Sequence, residues 1–373
     1  MTRAPGSVRD CIVSYLANAG SASLAEIQAA VNMHLGSVAP SSVRSYLNLN
    51  TPALFARIDR GSYRLKNGRV NVHAAKPNGG TKIGSARIVQ ADCFEWLASV
   101  REGARLHAIV TDPPYGGIEY THKEQTKLRN GNKGGVWRIP PSFDGHKRSP
   151  LPRFTVLGED DREALRFFFQ DFGKLALRAT VPGANIIVAS NPLLVHLVAD
   201  AMASSGLEPR GYITRLVMTM RGGDRPKNAE KDFPEVSVLP RSMFEPWVVM
   251  RHPLDGRVQD NLRKWKTGGF RRISDDRPFG DVIKSSPTPK AEKDIAPHPS
   301  LKPQAFLRAV VRAALPMGEG IVCDPFAGSG STLAAANAIG YESIGIESDD
   351  EFLKIARQAI PKLSRLLVNP ILS

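Results

Sequence analysis

Cysteine, long apolar runs and acidic residues are all scarce in this chain. Its three cysteines, at positions 11, 93 and 323, lie far apart and form no CxxC pair, which argues against a disulfide framework and against a zinc ribbon. No apolar run approaches the roughly 20 residues that span a bilayer, and the N-terminal MTRAPGSVRD contains no signal-peptide core. We therefore expect a soluble, cytoplasmic protein that has no membrane partner.

The scarcity of acids leaves an excess of positive charge. The 50 Lys and Arg residues outnumber the 36 Asp and Glu residues, for a formal net charge of +14. Such a charge fits a polyanionic partner, although it informs association rather than fold. The 373 residues, 42% hydrophobic and 23% charged, match a large globular domain with an accessory one and argue against disordered, collagenous and coiled-coil chains.

Residues 1–65 predict a small helical domain that ends in a hairpin. Apolar residues recur at helical spacing in the first segment, and Ser23 followed by Glu26 forms a capping box ahead of a second helix. A third helix follows, and then residues 59–61, Asp-Arg-Gly, form a turn between two short strands. Three helices and a hairpin predict a winged-helix-like domain.

This N-terminal domain has two interpretations. As a winged helix it would bind DNA through its third helix, with Arg44 on the candidate recognition helix. As a helical protein-interaction domain it would make no DNA contact. The nine Lys and Arg residues against three Asp and Glu residues in the range 1–80 favour DNA contact.

A Gly-, Asn- and Lys-rich stretch, 66–85, is typical of a linker, and the pattern then changes to short apolar strands alternating with helices. The predicted strands are 87–90, 107–111, 185–189, 212–220, 247–251, 320–323 and 341–347, and the predicted helices lie near 93–100, 161–178, 191–204, 303–314, 331–339 and 350–366. This alternation predicts an α/β domain over 86–373, with helices on both faces of the sheet. Ligands of such sheets bind beyond the carboxyl ends of the strands.

Two long basic stretches interrupt this alternation. Residues 116–153 hold eight Lys and Arg against three Asp and Glu, and residues 251–297 hold eleven against seven. Loops of this length inside a compact domain are functional or disordered. The alternative for each stretch is a solvated surface insertion.

The first chemical motif is Asp112-Pro113-Pro114-Tyr115, directly after a predicted strand. Each proline fixes its own φ and removes a backbone donor, which leaves carbonyls and one carboxylate as acceptors. An amino group with two hydrogens suits such a cradle, and the Tyr115 ring offers a face for stacking a planar heterocycle. The alternative is a turn whose tyrosine packs in the core.

The second motif is Asp324-Pro325-Phe326-Ala327-Gly328-Ser329-Gly330, between an apolar strand and a strong helix former. Its small residues let a ligand approach the backbone, and the following helix start exposes free N–H groups. Glu347 follows Gly328 by nineteen residues, at the end of the next strand, where an acid can accept hydrogen bonds from ribose hydroxyls. The motif has neither Walker nor GxGxxG spacing.

Together the two motifs resemble those of the amino methyltransferases of DNA, in which a DPPY-type motif acts on an exocyclic amine and an FxGxG motif binds S-adenosylmethionine. The catalytic motif here precedes the cofactor motif by about 210 residues, which is similar to the circularly permuted β class. The resemblance covers about 86–366. It implies a Rossmann-like methyltransferase sheet with helices on both faces, besides the winged-helix-like domain.

Two further segments support the resemblance. Ala91-Asp92-Cys93-Phe94 resembles the segment that lies near the cofactor's adenine, and His298-Pro299-Ser300-Leu301-Lys302-Pro303 resembles the element near its methionine end. Phe244-Glu245-Pro246-Trp247 is only faintly similar to a family segment, and we interpret Trp247 as core. The implied cofactor-binding residues are Asp92, Cys93, Ser300, Lys302, Asp324, Pro325, Phe326, Gly328, Ser329, Gly330 and Glu347.

The resemblance also implies the reaction. The Asp112 side chain and the Pro113 carbonyl accept hydrogen bonds from a target amine, no metal is needed, and Tyr115 stacks on a base that has been extruded from the duplex. Residues 116–153 would clamp the DNA and 251–297 would recognise the target. The candidate DNA-contacting residues are Lys127, Arg129, Arg263, Lys264, Arg271 and Arg272, in addition to Arg44 of the first domain.

We therefore predict a site-specific methyltransferase that acts on adenine N6 of double-stranded DNA. Asp at the first position of the catalytic motif leans towards adenine in this family, whereas Ser leans towards cytosine. Cytosine-N4 methylation is the first alternative, RNA is a weaker one, and an inactive DNA-binding regulator is the alternative outside the enzyme class. A homodimer and a cognate restriction endonuclease stay open as partners.

Overall fold

A computed structural model shows the chain as two compact units, 1–72 with 116–171, and 73–115 with 172–373. The residues that the structure describes are 7–49, 51, 55–59, 61–65, 80–101, 105–113, 142–143, 146–147, 159–221, 225–226, 228–240, 242–298 and 301–368. Among these residues, no helix combines the length and apolar character that crossing a membrane requires.

The first unit begins with three helices and a three-stranded antiparallel sheet of order β1-β3-β2. The elements are α1 Ser7–Ala19, β1 Ser21–Ser23, α2 Leu24–Leu35, α3 Pro40–Leu49, β2 Phe55–Asp59 and β3 Ser62–Leu65. The predicted capping box is confirmed, because the Ser23 side chain accepts from the Glu26 backbone N–H and the Glu26 carboxylate accepts from the Ser23 N–H. The helices and the hairpin bury a common core that includes Ile12, Leu16, Ile27, Leu47 and Phe55.

Two short strands, β7 Ser142–Phe143 and β8 His146–Lys147, also belong to the first unit and pair with each other. The boundary between the units falls within helix α5, Glu159–Ala179. The sequence did not predict β1, because its three small residues carry no apolar alternation.

The second unit is built on a nine-stranded mixed sheet of order β12-β10-β11-β9-β6-β13-β14-β5-β4. Its strands are β4 Thr81–Ile83, β5 Ala86–Gln90, β6 Leu106–Thr111, β9 Thr180–Ala189, β10 Glu208–Arg221, β11 Ser242–Arg251, β12 Val282–Lys284, β13 Ile321–Asp324 and β14 Glu342–Glu347. The five strands from β9 to β5 in this order are parallel, whereas β11 and β4 flank them antiparallel. The carboxyl ends of β9, β6, β13, β14 and β5 therefore meet at one edge, called the carboxyl edge below.

Helices cover both faces of this sheet. Ala108 and Val110 of β6 pack in a cluster with the helix that runs 304–314, while the alternate residue Ile109 is fully buried on the opposite face. The helices of this unit are α4 Cys93–Ser99, α6 Val195–Ala203, α7 Val258–Trp265, α8 Lys290–Ile295, α9 Gln304–Ala314, α10 Ser331–Ala338 and α11 Asp350–Ser364. The predicted α/β class is confirmed.

Each of the seven strands and six helices predicted after residue 86 is present, although several ends differ. β9 begins five residues earlier than predicted, because its amino half lacks the uninterrupted apolar run of its carboxyl half. The four elements that the sequence did not predict, β4, β12, α7 and α8, have three to eight residues each. Elements this short carry too few residues for a periodic pattern.

Candidate functional site

Three acidic residues stand at the carboxyl edge on neighbouring parallel strands. Asp112 follows β6, Asp324 ends β13 and Glu347 ends β14. The register aligns Cys323 with Ile109 on one side and Asp324 with Gly345 on the other. The catalytic-type and glycine-type motifs, which lie more than 200 residues apart in sequence, therefore open at the same edge of one sheet.

Asp324 connects these two strand ends through a buried hydrogen bond. The Thr111 hydroxyl, directly before Asp112, donates to Asp324 Oδ1 over 2.6 Å, and the Phe326 N–H donates to the same oxygen over 3.2 Å. Burial raises the pKa of Asp324 to about 6, against the lowering effect of these hydrogen bonds. Asp324 thus joins the start of the glycine turn to the end of β6.

The glycine turn between β13 and α10 is tied to Glu347. Gly328 and Gly330 have φ of +49° and +82°, values that L residues with a side chain rarely adopt. The Gly328 N–H donates to Glu347 Oε2 and the Asp349 N–H donates to Glu347 Oε1, both over 2.8 Å. Burial raises the pKa of Glu347. The carboxylate that the sequence predicts as a ribose acceptor therefore also fixes the turn.

His298 packs over the same turn. A Cβ atom at Gly328 would lie 3.1 Å from His298 Nε2, and the imidazole meets the Phe352 ring edge to face at 4.5 Å. Burial, assisted by the positive charge of Lys302, lowers the pKa of His298 to about 4. The imidazole is consequently neutral near pH 7 and packs as part of the wall of the turn.

Asp92 and Cys93 stand at the carboxyl end of β5, beside Glu347. The Ala91 N–H donates to the Glu347 carbonyl over 3.2 Å. Asp92 caps α4, since its Oδ1 accepts from the N–H groups of Phe94 and Glu95. Burial raises the pKa of the Cys93 thiol well above its usual range. The cap is a structural role for Asp92 that its predicted cofactor contact would accompany.

Lys302 lies at a position that the sequence did not specify. Its ammonium donates a hydrogen bond to Asp112 Oδ2, and its Nζ lies 3.8 Å from Glu245 Oε2. The resemblance placed Lys302 near the methionine end of the cofactor, whereas the structure shows it in contact with the catalytic-type carboxylate. Glu245 was not predicted as a site residue, although an acid directly before the apolar run Pro-Trp-Val-Val-Met was a signal for one.

Four of the candidate DNA-contacting residues do not lie with Asp112. On α7, the Asn261 side chain donates to the Pro182 carbonyl near the start of β9, and Arg271 donates to the Tyr341 hydroxyl, directly before β14. The starts of parallel strands form the edge opposite to the carboxyl edge. Placement beside a base held at Asp112 is therefore wrong for Arg263, Lys264, Arg271 and Arg272.

The remaining predicted residues are distributed as follows. Arg44 is exposed on α3 of the first unit, where a recognition residue was predicted. Pro113 is buried directly after Asp112. Among the residues that the structure describes, no cluster of three or more His, Cys, Asp or Glu side chains is arranged to hold a metal ion. The predicted residues outside the described ranges are Pro114, Tyr115, Lys127, Arg129 and Ser300.

Comparison with known proteins relates this chain to DNA methylases. Residues 224–358 match the DNA methylase family of N6 and N4 methyltransferases. The chain is 38% identical over 91 residues to the type II methyltransferase M2.DpnII of Streptococcus pneumoniae, which covers 24% of this chain and 34% of that protein. It is 47% identical over 58 residues to the DNA adenine methyltransferase YhdJ of Escherichia coli K12, covering 16% and 19%.

Among solved structures, the chain is similar to TTHA0409 of Thermus thermophilus, a DNA modification methylase complexed with S-adenosyl-L-methionine. The two are 19% identical with a TM-score of 0.47, over 75% of this chain and 95% of the other. The chain spans about a third of the length of the first curated relative that it matches. The segment 224–358, which includes Lys302, the glycine turn and Glu347, is thus of the N6/N4 DNA methylase type.

Proposed function

We propose that this chain is an S-adenosylmethionine-dependent DNA methyltransferase that methylates adenine N6. The observation that carries the proposal is the position of Asp112 and of the glycine turn at neighbouring strand ends of one sheet. A methyl acceptor bound at the first and a methyl donor bound at the second would meet at the carboxyl edge, where ligands of such sheets bind. The match of 224–358 to DNA methylases supports the same interpretation.

The residues at this edge fit the cofactor. A nucleoside needs an acceptor for its ribose hydroxyls, and each oxygen of the Glu347 carboxylate retains a lone pair beside the backbone N–H it already binds. Close approach to the backbone needs small residues, which Ala327, Gly328 and Ser329 provide. When bound, S-adenosylmethionine supplies a methyl group on a cationic sulfur, and the acidic strand ends favour a positively charged ligand.

The chain's own contribution to transfer is to orient and to accept. An aromatic amine is a poor nucleophile, because its lone pair is delocalised into the ring. Hydrogen bonds from its two N–H groups to the Asp112 carboxylate and the Pro113 carbonyl favour a pyramidal nitrogen whose lone pair is available. As the new N–C bond forms and the S–C bond breaks, positive charge moves to the nitrogen, where these acceptors stabilise it. The methylated nitrogen then loses one proton.

Two observations favour adenine as the target base. Aspartate occupies the first position of the motif, which in the family it resembles leans towards adenine. One relative in sequence, from E. coli, carries the description of a DNA adenine methyltransferase. Cytosine N4 is an alternative that uses the same geometry, since its exocyclic amine has the same two hydrogens.

The experiment is methyl transfer from labelled S-adenosylmethionine to unmethylated DNA, with the product nucleoside identified by mass spectrometry. N6-methyladenine is expected, whereas N4-methylcytosine would contradict the base assignment. Asp112→Ala is expected to reduce transfer at least ~100-fold while DNA and cofactor still bind. Glu208→Gln, which removes one carboxylate remote from the carboxyl edge, serves as the control. Retained activity in Asp112→Ala would remove Asp112 from the mechanism.

We also propose that the first unit contributes to DNA binding through Arg44, which is exposed on α3. The order of three helices with a three-stranded sheet supports a winged-helix-like domain, joined through the linker 66–85 to a methyltransferase domain. A homodimer and a cognate restriction endonuclease stay predictions from the resemblance.

A further inference from the structure

Four charged side chains of alternating sign form a buried row that ends at Asp112. In order they are Arg215, Glu245, Lys302 and Asp112, and we call them the charge row. The distances are 3.3 Å from Arg215 Nη1 to Glu245 Oε2 and 3.8 Å from that oxygen to Lys302 Nζ, which in turn binds Asp112. Their side chains are 5%, 12%, 9% and 16% exposed.

The topology of the sheet brings these groups together from four elements. Arg215 of β10 stands opposite Glu245 of β11 in the antiparallel register. Lys302 precedes α9, the helix that packs on this face of the sheet. Because β9 lies between β11 and β6, the Lys302 ammonium spans one strand to connect Glu245 with Asp112.

The end of the row that lies farthest from Asp112 is firmly held. Arg215 Nε donates to Ser285 Oγ and its Nη2 to the Ser286 carbonyl, both over 3.1 Å, and its guanidinium lies 5.2 Å from the Phe306 ring centroid. Glu245 Oε1 accepts from Trp247 Nε1 over 2.8 Å. With both of its oxygens engaged, the Glu245 carboxylate has one well-defined position, and it presents Oε2 to Lys302.

A buried row of this kind is a costly way to stabilise a fold. Removing charges from water carries a penalty that ion pairing only offsets, and apolar residues of similar volume serve a purely structural purpose as well or better. The row sums to zero, with two positive and two negative groups. Without Glu245 it would carry a net positive charge, next to the nitrogen that must itself become positive during methyl transfer.

We propose that Glu245 is a positioning residue for methyl transfer, acting on Asp112 through Lys302. Glu245 compensates the Lys302 charge and fixes the ammonium, which in turn orients the Asp112 carboxylate. A carboxylate offers about four lone-pair sites, so Asp112 can accept from Lys302 and from the target amine together. This inference rests on the proposed function, and it adds Glu245 and Lys302 to the residues on which the rate depends.

The test compares two glutamates that are each paired with an arginine across β10 and β11. Glu245→Gln removes the charge next to Lys302, and Glu208→Gln removes the partner of Arg251 at the other end of the same two strands. Glu245→Gln is expected to lower kcat for methyl transfer by about 10- to 100-fold, with KM for S-adenosylmethionine changed less than about threefold. Glu208→Gln is expected to keep the wild-type kcat, and Glu245→Asp, which keeps the charge, to recover part of it.

A double-mutant cycle then tests the route through Lys302. In a Lys302→Met background the carboxylate has no ammonium to hold, so adding Glu245→Gln is expected to lower kcat by less than about threefold. A further loss of tenfold or more in that background would overturn the proposal. If Glu245→Gln alone does not fold, as judged by thermal unfolding and cofactor binding, the comparison of Lys302→Met with the double variant decides.

The outcomes separate this inference from the proposed function. A wild-type chain that transfers no methyl group to any DNA overturns the proposed function, and the inference falls with it. An active wild type whose Glu245→Gln variant matches Glu208→Gln overturns the inference alone. A Glu245→Gln variant that loses cofactor affinity at unchanged kcat also overturns it, because Glu245 would then contribute to binding rather than to the orientation of Asp112.

Discussion

The buried carboxyl of Asp324 should make the stability of the second unit depend on pH in an unusual direction. The informative perturbation is Asp324→Asn, measured across a range of pH. Thr111 Oγ1 and the Phe326 N–H both donate to Asp324 Oδ1, so the amide oxygen of asparagine can accept both bonds in the same place. The variant keeps the shape and the hydrogen bonds, and it removes only the titration.

The sign follows from the pKa values of the two states. Burial raises the pKa of Asp324 from 3.8 to about 6, so the folded state holds this proton more tightly than the unfolded state does. Protonation therefore stabilises the fold below about pH 4, and this contribution is lost as the pH rises to about 6. At about 1.4 kcal/mol for each pKa unit, the free energy of unfolding of the wild type should fall by roughly 2–3 kcal/mol relative to Asp324→Asn across that window.

The assay is urea unfolding followed by tryptophan fluorescence, at several pH values between about 4 and 8. The difference between wild type and variant is the quantity to plot, because other buried groups titrate in both proteins. Burial raises the pKa of Glu347 and lowers that of His298, and these effects cancel in the difference. A difference that stays constant from pH 4 to 6 would refute the reasoning, since Asp324 would then be ionised throughout, or protonated throughout.

Further expectations concern the wall of the turn, its glycines and the first unit. Burial lowers the pKa of His298 from 6.5 to about 4, so stability is complete above about pH 6.5 and falls by about 3 kcal/mol towards pH 4; His298→Gln should abolish this dependence in the same urea titration. Gly330→Ala would bring a Cβ 2.6 Å from Ile360 Cγ1 at φ +82°, whereas Gly340→Ala at φ +78° meets nothing within 4 Å. We expect a loss of about 2–4 kcal/mol for the first and about 1 kcal/mol for the second, and equal losses would contradict the packing argument. Deleting 1–80 should weaken DNA binding and flatten its salt dependence, and an unchanged salt slope would favour a protein-interaction domain.

Local chemistry in the sequence was sufficient for the elements that form the scaffold. Continuous apolar runs predicted β6, β9 and β13, because strands of a parallel sheet are buried on both faces. The capping box at Ser23 was predictable for a similar reason, since both of its partners lie within one turn of helix. Even the meeting of Asp112 with the glycine turn followed from the rule that the carboxyl ends of parallel strands share one edge.

The sequence could not provide the partners of charged side chains that lie far apart in the chain. Lys302 and Asp112 are separated by 190 residues, and Arg215 and Glu245 become neighbours only through the register of β10 with β11. The same limit explains the placement of Arg271, whose basic neighbourhood suggested a nucleic-acid contact but whose guanidinium binds Tyr341.

The sequence alone therefore determined which segments become strands and helices and which strand ends carry acids and glycines, because these depend on neighbours within a few residues. The tertiary structure alone decided which charges share a buried environment and which edge of the sheet each basic residue occupies. Those relations depend on strand order and register, and the low dielectric of the interior then makes each such contact matter.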